Sequence, residues 1–117
     1  MGLNMKLKGN NSISIVELSA ILENQIGADL ITKTGRVAGD LTVILMCFEK
    51  FYFRTGSYAG LTIMLSESPE EQIADVVGFG GGDGIFNISW GANRNFAERA
   101  AEIIRGNGFE IEIGNQE

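Results

Sequence analysis

Residues able to do chemistry are few in this chain and fall into three groups. Between positions 78 and 84 the run GFGGGDG sets five glycines around Phe79 and Asp83. Backbone N–H groups bared at Gly81 and Gly82, beside Asp83, would suit an anion-binding nest. A nucleotide fingerprint needs the glycine turn to open straight into a helix. Here the glycines lead into IFNISW (85–90), which alternates like a strand, and no P-loop lysine is present. A hairpin tip in which glycine supplies positive φ accounts for the same residues. The second group is Trp90-Gly91-Ala92-Asn93-Arg94, where that strand would pass into a helix. Arg94 beside free helix N–H groups could hold a carboxylate or phosphate; equally, Trp90 closes the core and Arg94 solvates the first turn. The third group is Lys50, Tyr52 and Arg54, spaced to share a sheet face, with Tyr58 across the hairpin. Two tyrosines and two cations there could meet a partner or an acidic ligand, and an ordinary wet surface with cross-strand pairs accounts for the same residues.

Catalytic chemistry has little to work with. The chain has no histidine, the commonest general base and metal ligand. Its acids are scattered: Glu70 and Glu71 sit in a turn, and Glu110 and Glu112 alternate along one strand. Neither pair has a partner that would tune it for acid–base work, so no catalytic residue, metal site or cofactor is expected. Cys47 is the sole cysteine, which forbids an internal disulfide, and its apolar neighbours predict an inert thiol.

Composition narrows the partners. Nine basic residues against fifteen acidic ones give a net charge of −6, which lacks the basic footprint that phosphate binding requires. No nucleic acid is expected. The first ten residues have no signal-peptide core, and the apolar run at 41–48 is under half the ~20 residues of a membrane helix. A cytoplasmic protein of one domain, 1–117, is the expectation.

The elements that must position these residues centre on DLTVILMCFEKFYFR at 40–54. As a strand, it sets Leu41, Val43, Leu45, Cys47, Glu49, Phe51 and Phe53 on one face. Thr42, Ile44, Met46, Phe48, Lys50, Tyr52 and Arg54 take the other. The second face, with its cations, is expected to lie away from the helices. Residues 3–8 alternate as an edge strand with lysines on the wet side. Ser14 followed by Glu17 fits a capping box for a helix over 14–26, with Ser12 as an alternative cap, and Gly27 stops it. Residues 28–37 form a strand with a bulge or turn at Gly35, and Gly39-Asp40 closes a hairpin into the central strand. Further strands are predicted at 58–66, 72–79 and 85–90. A helix capped by Asn93 or Asn95 runs to Gly106, and a short strand follows at 109–113.

Two helices with one apolar stripe each can cover only one face of such a sheet, and short turns make neighbouring strands antiparallel. The fold class is therefore α+β: a two-layer domain with a twisted antiparallel sheet of about six strands and two helices on one face. The order of elements, the hairpin FEKFYFRTGSYAGLTIML at 48–65 and the glycine-rich tip followed by FNISWG resemble a family of small uncharacterised bacterial single-domain proteins. The succession of elements is also similar to the saddle-shaped TATA-binding-protein-like topology. The resemblance implies no activity, and the DNA-binding saddles present a basic concave sheet that this chain lacks.

The functional expectation is a non-enzymatic module that associates with itself, as a homodimer, or with another protein. It would use the uncovered sheet face or an edge, with Ile44, Met46 and Phe48 as the apolar surface seeking cover, continued by Lys50, Tyr52, Arg54 and Tyr58. An apolar ligand cavity between sheet and helices is the second expectation, and nucleic-acid binding by saddle analogy the third.

Overall fold

The computed structural model describes residues 3–53, 56–80 and 88–116. Element order is β1 (Leu3–Gly9), α1 (Ile15–Gln25), β2 (Asp29–Ala38), β3 (Leu41–Tyr52), β4 (Ser57–Glu67), β5 (Gln72–Gly80), α2 (Ile88–Arg105) and β6 (Phe109–Gln116). The strands form one antiparallel sheet in the order β2-β3-β4-β5-β1-β6, which is the α+β architecture the sequence predicts.

The hairpins arise where turn chemistry demands them. Gly39 at φ +62° begins the two-residue turn that pairs Ala38 with Leu41. Ser68 donates its N–H to the Glu71 carbonyl at 2.9 Å, closing the turn around Pro69. In β2 the register shifts between Leu30 and Thr32, so the irregularity falls at Ile31 and Gly35 stays in register opposite Ile44. On α1, the Ser14 hydroxyl accepts from the Glu17 N–H at 3.1 Å, the cap the sequence specifies.

The core lies between the helices and one face of the sheet. Ile15, Leu18 and Leu22 of α1 and Phe96, Ala97, Ala100 and Ile104 of α2 meet Met46, Phe48, Leu61, Ile63, Leu65 and Val76. Each of these sheet residues is almost wholly buried. Met5, Leu7 and Phe109 extend the core under the end of α2. Gly9 has no side chain because the Phe109 ring and the Gln72 amide fill the space a Cβ would need.

Residues 3–8 are not an edge strand, because β1 pairs with β5 on one side and β6 on the other; two further expectations are corrected. Ile44, Met46 and Phe48 are not the uncovered surface; they are 7%, 0% and 2% exposed, beneath the helices. The faces of β3 are thus exchanged relative to the sequence reading. Both faces are apolar in the first half of the strand, so periodicity alone could not choose between them. Secondly, residues 88–90 belong to α2 and not to a strand. The helix begins several residues before the expected Asn93 or Asn95 cap.

Candidate interaction surface

With the helices on one face, the other face of the sheet is left to Leu41, Val43, Leu45, Cys47, Glu49 and Phe51 of β3 and their cross-strand partners. The register makes this a grid of rows. Leu45 lies beside Met64, which lies beside Asp75, which lies beside Lys6. One row along, Cys47 lies beside Thr62, then Val77 and Asn4. On the other side, Arg36, Val43, Ser66, Ile73 and Lys8 form a row. Val43, Leu45, Met64, Ile73 and Val77 are therefore interspersed with Thr62, Ser66 and Asp75 on the middle strands, and the cations stand on the flanking β2 and β1. Met64 is 41% exposed and Leu41 40%, while Val43, Leu45, Cys47 and Val77 are half-buried by their neighbours in the sheet.

One end of this face is aromatic. The Phe51 ring meets the Phe53 ring and the Tyr58 ring edge-on, each with centroids 5.2 Å apart. Such edge-to-face pairs add about 0.5–1.5 kcal/mol beyond the area they bury. Phe79 lies over Gly60, where a Cβ would collide with its ring. Here the strand glycine creates a flat seat for an aromatic from the neighbouring strand. Phe53 nevertheless remains 91% exposed and Tyr58 55%. Exposed rings gathered at the edge of an aliphatic sheet are the composition of an interface centre, where aromatics and Met are enriched.

Of the residues singled out in the sequence, Tyr58 belongs to this surface. Lys50 and Tyr52 are on the helix side instead. The Lys50 ammonium stands 5.4 Å from the centre of the Tyr52 ring, and that ring packs toward Phe96 with centroids 6.2 Å apart. Arg54, Gly81, Gly82 and Asp83 lie outside the described residues. Trp90 and Arg94 fall within α2, near its start, so they do not mark a strand-to-helix junction.

Away from this face, the chain's most organised polar cluster joins three elements. Gln72, 1% exposed, donates from Nε2 to the Ile13 carbonyl at 2.7 Å and to Glu67 Oε1 at 2.6 Å. Its Oε1 accepts from the Asn11 N–H at 2.9 Å. Glu67 Oε1 also accepts from the Ile15 N–H at 3.2 Å, at the first turn of α1. An open cleft of about 530 Å³ adjoins these groups, bordered by Ser12, Glu17, Asp40 and Thr42. Gln72 and Glu67 are held by the chain itself, so the cluster ties the β4–β5 turn to the entry of α1. No group of three or more potential metal-ligating side chains occurs among the described residues. Between sheet and helices the described side chains of Met46, Leu61, Ile63, Leu65 and Val76 are fully buried.

Comparison with known proteins places this sheet in a family. The family model matches residues 2–107, from the start of β1 through the whole of α2. The chain belongs to DUF6054, a family of unknown function. No curated protein and no solved structure matches it. The outer aliphatic rows and the aromatic end described above all lie within the part of the chain that DUF6054 defines. No described helix of this DUF6054 member is long and apolar enough to cross a membrane. Outer-face residues missed at the level of sequence are Leu45, Met64, Val77 and Phe79. For Leu45 the signal was the apolar second face of residues 41–51, read as the buried one; Met64, Val77 and Phe79 share that face by their register with β3.

Proposed function

We propose that this DUF6054 member is a non-catalytic, cytoplasmic module that associates with a second copy of itself through the outer face of its sheet. The observation carrying this reading is the outer face of β3, β4 and β5, where Leu41, Val43, Leu45, Met64, Ile73, Val77 and the aromatic end alternate with a few polar side chains and no described element of the chain covers them. Exposed apolar areas of this kind mark interaction surfaces in soluble proteins. Six strands at ~4.8 Å spacing, each about ten residues long at ~3.3 Å per residue, give the face roughly 800 Å² in projection. A standard interface takes about 800 Å² from each partner.

Charge on the face supports a copy as the occupant. Facing outward by register on the six strands are Lys6, Lys8 and Arg36 against Asp29, Glu49, Asp75 and Glu110, the last beside Lys8. Most of the −6 of the chain is therefore carried elsewhere, and the face can meet itself with little net repulsion. A non-catalytic reading is supported by the absence of histidine, and a reducing compartment by the single unpaired thiol of Cys47.

Sedimentation velocity over a range of concentrations tests the reading. The wild type should sediment at twice its 12.6 kDa mass. Met64→Lys should sediment as a folded monomer, because position 64 is exposed and faces Asp75 across the strands. A wild type that stays monomeric at its highest soluble concentration would overturn the proposal.

A further inference from the structure

The rows of the outer face also define how two copies would sit. We propose, resting on the self-association reading, that each strand lies over its own counterpart running in the opposite direction. The two-fold axis then lies between the sheets, perpendicular to the strands. Symmetric face-to-face packing of aligned sheets leaves two choices of axis, along the strands or across them.

An axis along the strands exchanges the two sides of the sheet and keeps the ends. About an axis along β4, Arg36 on β2 would face Lys8 on β1, since both occupy the row of Val43 and Ile73. About an axis midway between β4 and β5, Arg36 would face Glu110 on β6, but Lys8 would lie over Val43, Lys6 over Leu45 and Asp75 over Met64. Like charges brought together, or charges buried against aliphatic side chains, select against both placements.

An axis across the strands keeps the sides and exchanges the ends. With the axis midway between Leu45 and Cys47, the row of Arg36 and Val43 lies over the row of Asp29 and Glu49, which pair with each other. Arg36 of each copy then stands over Asp29 of the other copy, with Glu49 alongside. All three residues are exposed. Sheets about 10 Å apart leave a gap that an arginine and a carboxylate bridge between them. The apolar positions agree. Phe51 and Tyr58 come over the Leu41 end, and Phe79 comes over Ile73. Aromatic end meets aliphatic end twice, once on each side of the axis.

A charge exchange tests the orientation. Arg36→Glu should weaken the dimer by about tenfold or more, as should the pair Asp29→Arg with Glu49→Arg. The three substitutions together should restore affinity to near that of the wild type. A second measurement does not depend on affinity. In a Cys47→Ser background, a short bis-maleimide should join Asp29→Cys to Arg36→Cys when the two single variants are mixed. It should join neither variant to itself, since identical positions are about 20 Å apart along the strands in this register. Dimers that ignore the charge reversals, or that fail to cross-link when mixed, would overturn the orientation and leave the self-association reading standing. A wild type that is monomeric would remove both.

Discussion

Gln72 shows how one side chain can organise a corner of the fold. Its amide satisfies a backbone N–H, a backbone carbonyl and a carboxylate from three separate segments while almost wholly buried. Gln72→Ala would strand all three partners, each at about 1–3 kcal/mol for a buried unsatisfied group before water re-enters. A clear fall in the urea midpoint is expected, with an unchanged denaturant slope, because the surface exposed on unfolding stays the same. A midpoint within error of the wild type would mean that solvent already serves these groups. Nothing in the sequence announced this role. Gln72 follows a proline turn, and a polar residue there reads as the wet start of a strand. Its burial depends on Gly9, distant in sequence, whose missing Cβ leaves the space that the Gln72 amide and the Phe109 ring share. The same kind of long-range fact decided Met46 against Leu45. Both are apolar, they lie next to each other on opposite faces, and only the packing of α1 against one face of β3 makes Met46 the core residue.

Elements were more legible than faces. The Ser14 cap, the Gly39-Asp40 turn and the stop at Gly106 each carry a local physical cause and appear where that cause places them. Ser14→Ala should cost about 0.5–2 kcal/mol, the usual loss for an N-cap. Thermal unfolding should register this as a lowered midpoint. The loss should fall toward the low end, because the Glu67 carboxylate still accepts from the Ile15 N–H at the same helix end. A drop far beyond that range would show that Ser14 carries more than a cap. The start of α2 was not legible for the opposite reason. Ile88 and Trp90 alternate with polar neighbours over too short a span to separate a strand from a helix. Gly91 and Asn93 have low helix propensity and argue against a helix running through them, a local preference that tertiary packing overrides.

At the scale of the whole molecule, the layering leaves an imbalance that neither residue nor element explains alone. The helices bury one face of β3, β4 and β5 so completely that Met46, Leu61, Ile63, Leu65 and Val76 are at 0% exposure. The opposite face keeps Met64, Phe51, Tyr58 and Phe79 in contact with water. If a second copy covers that face, folding and association are linked, and stability must depend on protein concentration. The wild-type unfolding midpoint should then rise steadily as concentration is raised, while the midpoint of Met64→Lys should stay flat. At high dilution the two curves should converge, because the substitution removes the partner and spares the core of each copy. Two flat curves would mean that the aliphatic grid is stable in water by itself, and a rise shared by both would place the contact on some other surface.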